Sequence, residues 1–120
     1  MRLRQFMDPL PVPRVLQPLE RCKDRTYYEV RMKEFFHQFH SQLPPTRVWG
    51  YEGQVPGPTI EVEEGECTHI LWINELPDKH FLPVDRTLHS SGHDMPEVRT
   101  VVHVHGALVE PESDGYPDAW

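Results

Sequence analysis

Two histidines one residue apart are the side chains of this sequence that are best placed to do chemistry. His103 and His105 lie in the apolar run TVVHVH, residues 100–105, and Gly106 follows. A Val-rich run is typical of a β-strand, in which alternate side chains point to the same face. The Cα atoms of residues two apart are about 6.5–7 Å from each other. Because neutral imidazole is a common ligand of copper and zinc, the pair predicts a metal site. The alternative is two histidines on the wet face of a half-buried strand.

The other metal-ligating residue types are scattered. Cys22 and Cys67 are the only cysteines, and two cysteines this far apart in an intracellular chain are more often free thiols than a disulfide. Neither is directly followed by histidine, which argues against a copper ligand. Three further histidines are expected to be exposed or to make ordinary loop hydrogen bonds. They are His80, His89 and His93.

The elements that must position the histidine pair are predicted to be strands. Tyr28, Val30 and Met32 alternate with charged residues, which indicates a half-buried strand over 26–40. Its phase slips near 34–36, which favours a bulge, a bend onto a second sheet or, alternatively, a short helix. Further strands are predicted over 48–51, 59–63 and 67–74, the last with apolar residues on both faces, as in a core strand. Residues 75–97 and those from 110 onward are expected to be loops.

Composition and charge narrow the class of protein. The formal net charge of −7 argues against a nucleic-acid partner, which needs a basic surface. No apolar run is long enough for a membrane span, and the first nine residues do not begin a signal peptide, so we expect a cytoplasmic chain. The 13 prolines in 120 residues are about twice the usual share and favour strands and turns over helices.

Several separate segments resemble the N-terminal cupredoxin domain of multicopper oxidases, and bacterial spore-coat laccases in particular. In chain order they are YYEV (27–30), LPPTRVWGY (43–51), PGPTIEV (56–62), HFLPVD (80–85), TVVHVHG (100–106) and SDGYP (113–117). The resemblance covers nearly the whole chain. It implies an all-β, cupredoxin-like Greek-key β-sandwich, here truncated before its last strands.

The resemblance also implies roles for individual residues. His103 would bind the type 2 copper and His105 one of the paired type 3 coppers of a trinuclear cluster. Asp114 would lie outside the ligand set, orient a ligand or bound water, and assist proton delivery to oxygen. Ala107 departs from the family, which usually has a second glycine there, and its methyl group would disturb the backbone if the position needed a positive φ.

The resemblance leaves most copper ligands outside this chain. We expect an extended arm over 1–25 and a partial cupredoxin domain over 26–120, completed by the remaining cupredoxin domains of an oxidase. In the whole enzyme, copper would oxidise phenolic compounds and reduce dioxygen to water, and location on the spore coat would follow from the resemblance. The chain by itself is expected to be inactive and marginally stable. The alternatives are a non-catalytic copper-binding or assembly module, and a gene fragment without independent activity.

Overall fold

The structure is a computed structural model that describes residues 2–120. It divides into two compact units, one that ends at Glu75 and one that runs from Leu76 to Trp120. Four β-strands and one short 3₁₀ helix make up the regular structure of the described residues, which confirms the all-β fold class and is consistent with a cupredoxin-like domain. Within this range there is no helix long and apolar enough to cross a membrane.

The first unit is built around one long strand, β2 (Arg25–His37). The side chains of Thr26, Tyr28, Val30 and Met32 are buried and alternate with half-buried residues. Because alternate side chains of a strand point to opposite faces, this pattern confirms the predicted half-buried strand. The strand ends at His37, three residues earlier than predicted.

The long strand has different neighbours along its length. Its first part pairs in parallel with β4 (Cys67–Glu75), and its last part, from Met32, pairs antiparallel with β3 (Thr46–Tyr51). A two-residue strand, β1 (Glu20–Arg21), pairs with its beginning. The register is continuous through residues 34–36, so the predicted bulge or helix is wrong there. The slip in the apolar pattern instead marks the stretch in which β3 is the partner.

The buried face of the sheet is covered from within the same unit. Val15 in the N-terminal segment bridges Thr59 in parallel, and the backbone N–H of Leu16 donates to the Thr59 carbonyl at 2.8 Å. The Tyr28 hydroxyl donates to the Glu61 carbonyl at 3.0 Å. The strand predicted over 59–63 is therefore wrong, because this segment crosses the sheet face and pairs through a single bridge.

The opposite face of the sheet is polar and open. Leu71 of β4 is 58% exposed, and Arg31 of β2 forms ion pairs with Glu29 and Glu75 on that side. Ile70 and Trp72, which point the other way, are half-buried. The prediction that β4 is enclosed on both faces is wrong, because the described residues of this unit form one sheet and leave its outer face uncovered.

The second unit has no strand among its described residues and is held together by turns. Its one regular element is the 3₁₀ helix η1 (Pro111–Ser113). Residues 76–97 form the predicted long loop, which begins one residue later than predicted because Glu75 ends β4. The run 100–105 is also outside the strands, so the strand predicted there is wrong. A strand requires a hydrogen-bonding neighbour, and no described segment provides one for this run.

Candidate metal centre

The second histidine of the pair sits at the corner of a tight turn. The backbone N–H of Ala107 donates to the Val104 carbonyl at 3.2 Å, and Gly106 has φ of 83°. A positive φ at the third position is the mark of a type II turn and is easiest for glycine. His105 is thus presented by a turn and not by the end of a strand. Ala107 is not among the residues with positive φ, so its methyl group meets no backbone strain.

The first histidine is fixed by Asp114. Its Nδ1 lies 2.6 Å from the Asp114 backbone carbonyl oxygen and 3.3 Å from carboxylate Oδ1 of the same residue. A carbonyl oxygen can only accept a hydrogen bond, so we assign the proton to Nδ1 of His103. In the neutral ring this leaves the lone pair on Nε2, the atom that would bind a metal.

Asp114 is held in this position by a close backbone contact. It is the residue that caps the C-terminal end of η1, where its N–H donates to the Pro111 carbonyl at 3.3 Å. The next residue, Gly115, has φ of 80° and packs so tightly that a Cβ there would lie 2.2 Å from the Val102 carbonyl oxygen. Only glycine fits this approach. The motif around Gly115 is visible in the sequence, but this contact is not, because its only sequence signal is a glycine directly after the acidic residue.

The distance between the two imidazole rings can be compared with the distance expected for rings that bind metal ions. The ring centroids are 6.1 Å apart, with planes inclined at 41°, and both side chains are exposed. A metal bound at about 2.0–2.1 Å from nitrogen lies roughly 3.2 Å from the ring centroid, so two rings at adjacent positions of one tetrahedral or square site are roughly 4.5–5.2 Å apart, and rings on opposite sides of one ion are roughly 6.4 Å apart. The observed separation is too wide for adjacent positions on one ion and is compatible with imidazoles on two neighbouring ions. The donor set therefore fits copper, which imidazole ligands bind well.

The pair does not form a complete site with its surroundings. Among residues 2–120 no group of three or more His, Cys, Asp or Glu side chains is arranged to hold a metal ion. His103 and His105 supply at most two protein ligands. Asp114 is not counted as a third, because it hydrogen-bonds to the ring of His103. Any further ligands must come from outside the described residues or from solvent.

The loop ahead of the pair is organised by a charged network. The Arg86 guanidinium donates to the Gly92 carbonyl at 2.9 Å and to Glu97 at 2.5 Å. Lys79 donates to the same carboxylate at 3.1 Å, and the His80 backbone N–H at 3.3 Å. Hydrogen bonding by Lys79, followed by that of the His80 N–H, lowers the pKa of Glu97 below its usual 4.5. A cavity of about 310 Å³ lies beside this network, lined by His80, Glu97, Arg99, Thr100, Val101, Pro117 and Trp120.

The other histidines behave largely as predicted. His80 Nδ1 accepts a hydrogen bond from the Leu82 N–H at 3.0 Å, and the side chain of His89 is 88% exposed, 3.8 Å from Asp118.

Cys22 and Cys67 are free thiols, as predicted. One pair was missed: the Cys67 Sγ lies 3.4 Å from Nε2 of His69. Its sequence signal was a histidine two residues on, the spacing that puts both side chains on one face of a strand.

The described residues therefore define an all-β protein that carries an exposed pair of imidazoles. A family model described as multicopper oxidase matches residues 36–98, more than half of the chain. The chain belongs to the multicopper oxidase family. Membership implies copper as the metal.

Relatives from several organisms match the chain along its whole length. It is 54% identical to a laccase from Bacillus subtilis (strain 168) and 51% identical to a laccase from Bacillus stratosphericus, in both cases over 100% of this chain and 24% of the relative. It is 42% identical to a laccase from Haloferax volcanii, over 98% of this chain and 22% of that protein. The chain thus spans about a quarter of the length of these relatives.

Proposed function

We propose that this chain is the N-terminal segment of a laccase-like multicopper oxidase and that His103 and His105 supply its first two cluster ligands. The observation that carries the proposal is the hydrogen bond of 2.6 Å from His103 Nδ1 to the Asp114 carbonyl. This bond leaves Nε2 free to bind a metal. The family match ends at residue 98, before the pair, so the support for these ligands is the geometry together with the resemblance.

Each histidine is proposed to serve a different copper ion. His103 would hold the type 2 copper and His105 one of the type 3 coppers, in keeping with ring centroids that are 6.1 Å apart. When bound, copper supplies one-electron chemistry with dioxygen, because it cycles between two oxidation states. The two imidazoles act as ligands only, so neither is proposed as a nucleophile or a general base.

Asp114 is proposed to position His103 and to handle a proton. Its carbonyl fixes the direction of the ring, and its carboxylate Oδ1 lies 3.3 Å from Nδ1. The same carboxylate is 48% exposed, so solvent water can reach it. A group placed in this way orients a ligand or a bound water and passes protons toward dioxygen, the role that the resemblance implies.

The whole-enzyme properties are part of the same proposal. Phenolic compounds would be the reducing substrates and dioxygen the oxidant, with the remaining cupredoxin domains as the structural partners of this chain. We retain residues 1–25 as an arm and 26–120 as a partial cupredoxin domain. The relatives from two Bacillus species support a location on the spore coat.

A chimeric oxidase tests the proposal. This chain replaces the matching quarter of the Bacillus subtilis laccase, to which it is 54% identical, and His103→Ala and His105→Ala are made in the chimera. Each change is expected to reduce the copper content of the cluster, and to lower oxygen uptake by more than the roughly 10- to 100-fold that loss of a partner outside the ligand set causes. Copper content and oxygen consumption are measured on the same preparations. The colour of the type 1 copper, the electron-entry site whose ligands the family resemblance places outside this chain, should persist.

The matched control is His93→Ala, since His93 is an exposed histidine of the loop. It should leave both quantities unchanged. Asp114→Asn should give an intermediate loss and a shifted pH profile of oxygen uptake. If the His103→Ala chimera keeps full cluster copper and turnover, His103 is not a ligand and the proposal fails.

A second candidate function is a copper-binding or assembly module without catalysis. It is favoured by the absence of any group of three or more potential ligands in residues 2–120. The two functions separate in the chimera, because a module restores copper binding without oxygen uptake. By itself, the chain is expected to show no oxygen uptake under either function.

A further inference from the structure

A cysteine and a histidine lie side by side on the exposed outer face of the sheet. Cys67 and His69 are two residues apart at the start of β4, so both side chains point to the same face. The Sγ of Cys67 and Nε2 of His69 are 3.4 Å apart, and both residues are exposed. The pair consists of different residues from those of the candidate cluster site.

The separation of the two donor atoms matches that of ligands on one ion. A metal bound at about 2.3 Å from sulfur and about 2.0 Å from nitrogen with a tetrahedral angle places those atoms roughly 3.5 Å apart. The imidazole is held in position by Tyr27, which is opposite His69 in the parallel register. The two rings are stacked, with centroids 5.0 Å apart and planes inclined at 19°. Little movement is then needed to form the chelate.

We propose that Cys67 and His69 form a surface site for a single copper(I) ion. On binding, Cys67 loses its thiol proton to solvent, a sulfur–copper bond forms, and Nε2 of His69 completes the chelate without any change in oxidation state. Thiolate sulfur is a soft donor that selects copper(I) and zinc among common metals.

Copper(I) is preferred to zinc because the described residues offer few donors. Structural zinc sites in proteins take four protein ligands, and no group of three or more potential ligands exists in residues 2–120. Copper(I) is also stable with three donors, so the thiolate, the imidazole and one small ligand from solution are sufficient. Donors at the 120° angle of such a site would be roughly 3.7 Å apart, close to the observed 3.4 Å. Family membership also makes copper a metal that this chain encounters.

The second cysteine is a matched control within the same molecule. Cys22 is exposed, like Cys67, but the group beside its Sγ is the Glu20 carboxylate at 3.4 Å. That hydrogen bond to Glu20 raises the pKa of the Cys22 thiol. Cys22 therefore has the exposure of Cys67 without the adjacent imidazole.

The test uses this chain with His103 and His105 changed to alanine, because these changes remove the other paired imidazoles. It compares the two thiols of that variant, Cys67 and Cys22. The reduced protein receives one equivalent of copper(I) without oxygen, in a chromophoric chelator that fixes the free metal concentration. Iodoacetamide is then added, and alkylation of Cys67 and Cys22 is followed by peptide mass analysis. Copper(I) is expected to protect most of Cys67 from alkylation over the time in which Cys22 reacts fully, because a metal-bound thiolate is no longer free to attack the reagent.

Variants and a second metal make the test decisive. His69→Gln keeps the thiol and should remove most of the protection, whereas Cys22→Ser should keep it; circular dichroism checks that each variant is folded. Equal protection of both thiols, or full protection in His69→Gln, would overturn the proposal. Protection by zinc at matched buffering but not by copper(I) would overturn the choice of metal.

Discussion

Gly115 illustrates how a residue with no reactive group can control the chemistry of a neighbour. Its lack of a side chain lets residues 114–115 approach Val102, and this approach brings the Asp114 carbonyl to Nδ1 of His103. The tautomer of the candidate ligand therefore depends on backbone packing. We expect a change at Gly115 to alter His103 without touching it.

Gly115→Ala is expected to break the contact between Asp114 and His103. An alanine at φ of 80° is strained by about 1–2 kcal/mol, and its Cβ would also lie 2.2 Å from the Val102 carbonyl oxygen. The nitrogen chemical shifts of His103 should then show that the Nδ1–H hydrogen bond is lost. Gly106→Ala is the control, because Gly106 has φ of 83° with nothing within 4 Å of the added carbon. An unchanged His103 spectrum in Gly115→Ala would contradict this account.

At the residue scale, the sequence identified the candidate site residues better than it identified the contacts between them. The spacing of His103 and His105 was visible in the sequence, and the resemblance added Asp114. The contact between Gly115 and Val102 was not predictable, because it joins two irregular segments whose approach no local pattern encodes. The pairing of Cys67 with His69 follows from strand periodicity and could have been found from the sequence.

At the element scale, the loop over residues 76–97 depends on charge and not on strand pairing. Arg86 donates to three backbone carbonyls, those of Ser91, Gly92 and Met95. The Glu97 carboxylate forms ion pairs with both Arg86 and Lys79. A loop with little buried apolar surface gains its order from such polar networks.

Glu97→Gln is expected to loosen this loop in a pH-dependent way. The pKa of Glu97 is lowered from 4.5 in the folded chain, chiefly by Lys79, so the ionised carboxylate favours the folded state. Its contribution is therefore present above pH 4.5 and is lost as the pH falls through the lower folded value. The urea midpoint of the variant should lie below that of the parent near neutral pH, and the two should converge in acid.

The exposed Glu112→Gln provides the control for Glu97→Gln, since it changes the net charge equally without removing this network. If the difference between Glu97→Gln and the parent persisted unchanged in acid, the ionised carboxylate would not be its source.

Strands were predictable where both the apolar pattern and a partner were present. The alternation of Tyr28, Val30 and Met32 identified β2 correctly, and the positions of β3 and β4 were also correct. The predictions over 59–63 and 100–105 failed because β-propensity says nothing about whether a neighbour is available to accept the hydrogen bonds. The change of partner along β2 was not predictable either, since it depends on segments distant in sequence.

For the whole molecule, the small core limits stability. Among the described residues, the buried apolar side chains are Tyr28, Val30 and Met32, all on β2. Many other large apolar side chains are exposed, among them Leu71 on the outer face. Since apolar burial is the main favourable term in folding, the chain alone is expected to be marginally stable. A sharp, reversible thermal transition would contradict this expectation.

Val30→Ala tests the dependence on this core. Val30 is 1% exposed, so removing its methyl groups should lower the free energy of unfolding by about 1–3 kcal/mol, through lost burial and the cavity left behind. Urea titration followed by tryptophan fluorescence measures the loss. Val62→Ala, at a position that is 57% exposed, should stay within about 0.5 kcal/mol of the parent. Equal effects of the two changes would show that β2 does not form the core.

The two-part pairing of β2 also determines the order in which the sheet can assemble. Its pairing with β3 closes a short connection between His37 and Thr46, whereas its parallel pairing with β4 must bring Arg25 to Cys67 across a much longer stretch. Closing the longer loop costs more chain entropy before any contact compensates it, which slows the step. During synthesis the antiparallel half can therefore form once Tyr51 is available. The buried face of the other half stays open until β4 arrives, and this interval is when the chain is most exposed to aggregation.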